Sequence, residues 1–467
     1  MYKSKALQLL NNFDNWEINH FKKFLGSPFF NKRQDVILLF EFIIKEKNSP
    51  SPDLTKQNAF AHIFPDQKWA EQNMYNLLSY LYKLMEQFLA VRAISNNKPL
   101  LKLYLGKAYR EKRQKESFQR ALKEGKQILE KQTLRDRAYM SQNYEIGLEY
   151  YDYIASKSGS PENNLQELAD QFDVMYIAEK LKQFCFQVSH QRIFNKKYSS
   201  GFRQSILQLV EEHSELQNYP AIQIYYSCYQ AATTEDEKYF QQFRNMILVH
   251  ANRFTIGEMR DIHLMAINFC IKKMNTGKTK YIREAFELYR LGLEKEYLIE
   301  NGELSKFTFM NIVFIGMKLE EYDWVEHFIN IYRKNLARNI QQNIYQYLLA
   351  TLRYEQKKYK EAMQLLITFD SNDYLMMLGA KFTLVKIYFE LKEFEPLDAL
   401  LESMRIYLRR KNLLSEYYRL YYRKIINLSK KLIRLQPGEK AKAKFKLEVK
   451  ELQVPSVQKW FLDQIDG

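Results

Sequence analysis

The chain has 467 residues, of which 71 are Lys or Arg, 55 are Asp or Glu, 14 are Gly and 10 are Pro. Its apolar fraction of 46% is typical of a globular protein and excludes a disordered chain. Gly and Pro are scarce, whereas β-sandwiches, barrels and doubly wound α/β folds need many tight turns. The composition therefore predicts an all-α protein of long helices joined by short connections.

Residues 1–95 are predicted to form an N-terminal helical domain. Asp14 and Glu17 have the spacing of a capping box, which predicts a helix that ends near Leu25. The next two helices are expected to be capped by Asn31 and by Thr55, because these side chains can accept a hydrogen bond from a free backbone N–H group. A longer helix follows from the helical spacing of apolar residues after residue 76.

The end of this domain faintly resembles the winged-helix domain of bacterial activators that carry helical repeats. The resemblance rests on the short helix after Thr55, the Phe64-Pro65-Asp66 turn and the long helix that follows. It implies DNA binding, which requires a β-hairpin wing and a basic recognition helix. Residues 69–89 contain Lys83 as their only basic residue, and the following residues predict more helix. These departures argue against DNA binding by this domain.

Residues 96–155 are predicted to form a basic helical connector, and the segment 156–164 has the Ser, Gly, Pro and Asn content of a linker. This segment can equally be a long loop between helices of one bundle. Residues 165–435 are predicted to form the main helical domain, and residues 436–467 a C-terminal tail or cap. In that tail, alternating lysines between residues 440 and 446 are compatible with a strand as well as a helix, and Trp460 and Phe461 are expected to cover an apolar end of the domain.

The C-terminal half of the chain is self-similar. Four anchor positions follow one another at intervals of 40, 37 and 35 residues, which is typical of helical repeats. The anchors are Ala285, Val325, Ala362 and Leu397. Residues three positions earlier are apolar or aromatic, namely Ile282, Tyr322, Tyr359 and Phe394. Residues twelve positions before the last three anchors are Val313, Ala350 and Val385. The repeated offset predicts a helix, a turn and a second helix in each unit.

The best of these units resembles a tetratricopeptide repeat. Its small residues Ala350 and Ala362 would let paired helices approach closely, and Tyr359 would fill the gap at the turn. No unit carries the full family pattern, and the intervals exceed 34 residues. The resemblance implies a tetratricopeptide-like α-solenoid of antiparallel helix pairs over residues 165–435. It also implies an adaptor that binds peptides or proteins along a concave face and performs no catalysis. No ligand-binding residue of the family can be transferred.

The formal net charge of +16 comes from two stretches of the chain. Residues 96–137 contain thirteen basic and five acidic residues, and residues 405–450 contain fifteen basic and three acidic ones. Such stretches attract phosphate backbones or acidic proteins, although many only keep a helix face soluble. The candidate basic binding residues are Arg110, Lys112, Arg113, Lys115, Arg120, Arg409, Arg410, Lys411, Arg419, Arg423 and Lys424.

The second basic stretch also carries tyrosines that could stack on nucleic-acid bases. Tyr418 and Tyr422 lie four residues apart and share one helical row, and Tyr417 and Tyr421 form another. The alternative is a terminal repeat helix that buries one row and exposes its charged face, and we favour that alternative.

No arrangement of residues predicts catalysis, a metal or a cofactor. The seven histidines lack metal-ligand spacing, and the three cysteines are too far apart in sequence for a CxxC pair. His263 and Cys270 lie two turns apart on one predicted helix, where we expect Cys270 to pack in the core. Gly277 precedes Lys278 as in a phosphate-binding loop, but the required earlier glycine is replaced by Lys272, so Gly277 is expected to end a helix.

These observations predict a non-catalytic scaffold that binds a protein partner through its helical repeats. The second hypothesis is binding of nucleic acid or a ribonucleoprotein through the basic stretches 96–137 and 405–450. An enzyme remains the third, and a buried carboxylate or histidine in a large cleft would favour it. Unpaired cysteines, the absence of a secretory signal near Met1 and the absence of an 18-residue apolar run predict a cytoplasmic protein without a membrane span.

Overall fold

Helices make up almost all of the regular structure, as the composition predicts. The computed structural model describes residues 1–155, 163–194, 196–199, 201–234, 236–410, 416–435, 438–452 and 454–466, without the side chains of 192–194, 410, 455, 456 and 466. The fold is all-α. The predicted linker lies largely outside the described residues.

The α-helices are α1 (Lys5–Leu10), α2 (Asn15–Leu25), α3 (Gln34–Lys47), α4 (Lys56–Ile63), α5 (Glu71–Asn96), α6 (Lys98–Glu111), α7 (Lys115–Lys131), α8 (Arg137–Ala155), α9 (Leu165–Phe194), α10 (Arg203–Glu212), α11 (Pro220–Thr234), α12 (Glu237–Val249), α13 (Ile256–Asn275), α14 (Lys280–Glu294), α15 (Lys306–Lys318), α16 (Tyr322–Tyr332), α17 (Gln341–Glu355), α18 (Tyr359–Ile367), α19 (Tyr374–Glu390), α20 (Phe394–Arg410), α21 (Glu416–Ile433), α22 (Glu439–Lys450) and α23 (Pro455–Asp466). The described residues also include two 3₁₀ helices (Ser214–Asn218 and Arg333–Asn335) and a hairpin of β1 (Ile299–Glu300) and β2 (Glu303–Leu304).

Helix caps near the N-terminus test the local sequence rules. The capping box of Asp14 and Glu17 is confirmed, with each side chain accepting the other residue's backbone N–H. Thr55 caps α4 as predicted. The prediction for Asn31 is wrong, because its amide donates to the Leu25 carbonyl at 3.0 Å and its oxygen accepts from the Arg33 N–H at 2.9 Å. Asn31 therefore shapes the loop between α2 and α3 instead of capping α3.

The chain divides into two compact units, Met1–Lys180 and Leu181–Gly467. In the first unit, α1 to α5 enclose one hydrophobic core. Phe21 is fully buried in it, where its ring lies 5.2 Å from Phe40 and 5.5 Å from Phe88 between ring centres. A smaller core joins α6, α7 and α8 around Phe118. No wing follows α5 within residues 1–155, because α6 begins two residues after α5 ends.

In the second unit, consecutive helices pack in pairs from α11 to α20. The C-terminal helices α21 to α23 share one hydrophobic core with α19 and α20. Phe461 is fully buried there, and the Trp460 ring lies 5.8 Å from the ring of Phe382 between centres. The alternating lysines lie on α22, because Phe445 and Val449 place apolar side chains at helical spacing and both are buried.

Within the described residues, no helix is both long enough and apolar enough to cross a membrane.

Candidate partner-binding surfaces

The same turn joins four pairs of helices. In each pair, the residue after the C-cap has a positive φ angle of 58 to 60°, and the next helix begins two residues later. The following N–H group donates to a carbonyl five residues earlier, as from Glu321 to Gly316 at 3.0 Å and from Lys358 to Arg353 at 2.8 Å. The positive-φ residues are Arg113 between α6 and α7, Glu320 between α15 and α16, Lys357 between α17 and α18, and Lys392 between α19 and α20.

The anchor positions of the repeat units are buried. Ala285, Val325, Ala362 and Leu397 are all fully buried, and the residues twelve positions before the last three are buried as well. Gly106 and Phe118 in α6 and α7 have the same offset of twelve, and both are buried. This pair was not identified from the sequence, although the same twelve-residue offset is present there.

Three first helices of consecutive pairs lie side by side in the second unit, since α17 contacts both α15 and α19. A Cβ atom at Gly379 would lie 2.7 Å from the Tyr347 hydroxyl oxygen, so α19 approaches α17 closely there. Further along, the Lys386 ammonium lies 4.1 Å from the centre of the Tyr354 ring. Burial lowers the pKa of Lys386 to about 8. We call the side of α15, α17 and α19 that faces away from α16, α18 and α20 the first-helix face.

The C-terminal helix covers one end of the first-helix face. Trp460 lies against two α19 side chains, with 5.8 Å between its ring centre and those of Phe382 and Phe389. The Gln464 amide donates to Glu390 at 2.9 Å. At the α15 end, Phe307 keeps 73% of its surface exposed. Residues 310 and 314 share its side of α15 by helical spacing and are half-buried.

The first basic stretch is partly used for folding. The Arg110 guanidinium donates two hydrogen bonds to the Glu149 carboxylate, at 2.5 and 3.2 Å, and that carboxylate is buried. Arg110 therefore fixes α6 to α8. The four other candidates of this stretch have exposed side chains near the α6–α7 turn and on α7, namely Lys112, Arg113, Lys115 and Arg120.

The second basic stretch forms a groove between α21 and α22. Its volume is about 460 Å³, and its polar lining is mostly basic. The charged lining residues are Lys430, Lys431, Arg434, Lys444 and Glu448. None of the four basic residues was among the candidates from the sequence, although all lie in the stretch 405–450. The groove is partly neutralised, since Lys431 pairs with Glu448 at 2.6 Å.

The candidates from this stretch do not gather in the groove lining. Arg423 and Arg409 are exposed, Lys424 pairs with Glu451 at 3.2 Å, and Arg419 is half-buried. The side chain of Arg410 and all of Lys411 lie outside the described residues. The exposure of the tyrosines changes along the helix and not between the two predicted rows. Tyr417 and Tyr418 are exposed at the start of α21, whereas one turn later Tyr421 is half-buried and Tyr422 is buried.

Three titratable residues on α13, His263, Cys270 and Glu258, are buried in the second unit. His263 and Cys270 are fully buried on α13, as predicted for Cys270, and Gly277 ends that helix with a φ angle of 85°. Glu258 is a buried carboxylate that accepts the Tyr225 hydroxyl at 2.6 Å and pairs with Lys182 at 2.9 Å. This network joins α9, α11 and α13. The described residues hold no group of three or more His, Cys, Asp or Glu side chains suited to a metal ion.

No known protein family, curated protein or solved structure matches the chain.

Proposed function

We propose that this protein is a non-catalytic scaffold that binds a protein partner through a tetratricopeptide-like α-solenoid. The observation that carries the proposal is the turn shared by α15–α16, α17–α18 and α19–α20, together with the twelve-residue offset of their buried anchors. Repeated helix pairs that stack on their neighbours build an extended binding surface. The contacts of α17 with α15 and α19 fit that arrangement.

The binding site is the first-helix face at its α15 end. Phe307, Met310 and Phe314 lie on one side of α15, opposite Phe309 and Val313, which are buried. Aromatic residues, Phe included, are enriched in protein interfaces relative to the rest of the protein surface. The partner that fits this side is a helix or extended segment with apolar anchors.

The experiment is affinity purification of the tagged chain from its native cell, with and without nuclease, followed by mass spectrometry. Phe307→Glu should remove the partners that survive nuclease, because a charge would replace the apolar contact. Ile367→Glu on α18 is the matched control, since Ile367 keeps 60% of its surface exposed on a second helix. Partners that remain bound to both variants would contradict the site, and partners lost from both would contradict its location on the first-helix face.

A second candidate function rests on the basic groove between α21 and α22. Lys430 pairs with Glu402 and Lys431 with Glu448, so Arg434 and Lys444 are the basic side chains that we expect to contact the phosphates of a single strand. The exposed Tyr417 and Tyr418 rings at the start of α21 offer stacking surfaces. We propose single-stranded RNA as the ligand under this alternative.

The test is fluorescence anisotropy with a labelled single-stranded RNA oligonucleotide at several salt concentrations. Reversing Arg434 and Lys444 to Glu should weaken binding and flatten the slope of log K against log salt by roughly 0.7 per lost phosphate contact. Reversal of Lys47 and Lys360, which are exposed and lie outside the groove, is the control with the same net charge. Equal losses in both variants would mean that the net charge, and not the groove, binds the RNA.

A further inference from the structure

A cavity of about 410 Å³ in the second unit lies among α9, α11, α12 and α13. Its lining is mainly apolar, and it includes the sulfur-bearing residues Cys185, Cys228 and Met265. Each of these comes from a different helix, namely α9, α11 and α13. Cys185 and Cys228 both line the cavity, although they are only 3% and 4% exposed.

The Cys228 thiol neighbours both of the other sulfur-bearing side chains. The Cys228 thiol donates to the Met265 thioether, with 3.4 Å between the sulfur atoms. The Cys185 thiol donates to the Tyr225 carbonyl at 3.3 Å and also interacts with the Cys228 thiol. Three sulfur donors bonded to one metal at about 2.3 Å in a plane lie roughly 4 Å apart, which is close to the 3.4 Å between the sulfur atoms of Cys228 and Met265.

The donor set selects the metal. Thiolate and thioether sulfur are soft ligands, which favour Cu(I). Zinc sites use thiolates, imidazoles and carboxylates in a tetrahedron, and the described residues provide no such group of three. Calcium and magnesium require oxygen ligands, which the three side chains do not offer.

We propose that Cys185, Cys228 and Met265 form a trigonal Cu(I) site. Binding forms two copper–thiolate bonds and one copper–thioether bond, and it releases two protons to solvent. Copper remains Cu(I), so no electron is transferred. The Cys185 thiol gives up its hydrogen bond to the Tyr225 carbonyl when it binds the ion. Because the thiols must lose their protons, the affinity rises with pH.

The test is anaerobic titration of the full chain with Cu(I) in competition with a bicinchoninate or bathocuproine disulfonate chelator. We expect one Cu(I) per chain and a higher affinity at pH 8 than at pH 6. Cys185→Ser and Cys228→Ser should each weaken binding by at least about tenfold, as loss of metal-supporting groups does. Met265→Leu keeps the side-chain volume and should cause a smaller loss.

Cys270→Ser is the matched control, because Cys270 is also buried on α13 but does not line the cavity. Circular dichroism checks that each variant is folded. If Cys228→Ser does not fold, the Cu(I) affinities of Met265→Leu and Cys270→Ser still test the proposal. Equal affinity in Met265→Leu and the wild type, an equal loss in Cys270→Ser, or failure of the wild-type chain to compete with the chelator would each overturn the proposal.

Discussion

Gly316 on α15 packs directly against Val325 on α16, so closely that a Cβ atom on Gly316 would overlap the valine side chain. Phe286 on α14 closes the same space at 3.3 Å from that Cβ position. Val325 is one of the four repeat anchors and is fully buried. The approach of these two helices therefore depends on a missing side chain at one position and a branched side chain at the other.

Replacing Gly316 with Ala should destabilise the protein by about 1–3 kcal/mol, because the added methyl group overpacks a buried contact. This cost exceeds the gain of up to about 1 kcal/mol that Ala brings to a helix. Urea unfolding followed by circular dichroism measures the difference. Gly257→Ala on α13 is the control, since a Cβ atom there meets no atom within 4 Å. A stabilised Gly316→Ala variant would show that the helices can move apart without cost.

The turns at Glu320, Lys357 and Lys392 hold non-glycine residues at φ angles of 60°. This conformation costs a residue with a Cβ atom roughly 1–2 kcal/mol, and glycine recovers most of that despite its greater freedom in the unfolded chain. Lys357→Gly should therefore stabilise the protein by about 0.5–1 kcal/mol. Lys360→Gly on the exposed side of α18 should destabilise it by about 1 kcal/mol. The midpoint of thermal unfolding measures both, and a loss of stability in Lys357→Gly would contradict the shared turn.

Arg110 and Glu149 provide a prediction that separates folding from binding. The Glu149 side chain is only 4% exposed, and Arg110→Ala would leave its carboxylate without this partner. Because Arg110 itself is 40% exposed, we expect a loss of roughly 1.5–3 kcal/mol, the range for hydrogen bonds to charged groups, instead of the larger cost of a fully buried pair. Lys112 is exposed just after the C-terminus of α6, so Lys112→Ala should change the free energy of unfolding by less than about 0.5 kcal/mol.

The two variants should be compared by chemical unfolding before any binding assay. If Arg110→Ala is as stable as Lys112→Ala, the ion pair contributes nothing to the fold. In that case Arg110 is as available to an anionic ligand as its exposed neighbours in the first basic stretch.

Local sequence signals predicted those parts of the fold that depend on a few adjacent residues. The capping box of Asp14 and Glu17 formed because both partners lie within one turn. Asn31 has an equally good capping side chain, but the Leu25 carbonyl accepts its amide after the chain folds back. The twelve-residue offset predicted the helical pairing of α15 to α20. The positive φ angles at Glu320 and Lys357 could not be predicted, because neither position holds the glycine that usually marks this conformation.

Charge patterns predicted where basic residues are concentrated but not how they are used. Arg110 and Glu149 lie 39 positions apart in sequence and meet only in the folded chain, so their spacing carried no signal. The groove of α21 and α22 gathers Arg434 and Lys444 from two helices whose relative position the sequence did not give. Tertiary contacts thus decide which charges stay available to a partner.

Burial of His263 makes the stability of the protein depend on pH. His263 is fully buried on α13, its Nδ1 atom lies 3.2 Å from the Met259 carbonyl oxygen, and its ring lies 4.9 Å from Tyr297 between centres. Desolvation lowers its pKa to about 4 from an ordinary value of 6.5, because the charged imidazolium would lack solvent. The unfolded chain therefore takes up a proton at this residue before the folded chain does.

The contribution of His263 to the free energy of unfolding is complete above pH 6.5 and is lost progressively as the pH falls from 6.5 towards 4. The full loss amounts to about 3 kcal/mol, from the difference between the two pKa values. His263→Gln should remove this part of the pH dependence, whereas His327→Gln, at an exposed position on α16, should retain it. Unfolding midpoints in urea at intervals from pH 7 to pH 4 measure the slopes. Carboxylates that titrate in the same range contribute equally to both variants, so the difference between the two slopes isolates His263. Parallel slopes would mean that the folded protein accommodates the charged imidazolium, and that the core around α13 admits water.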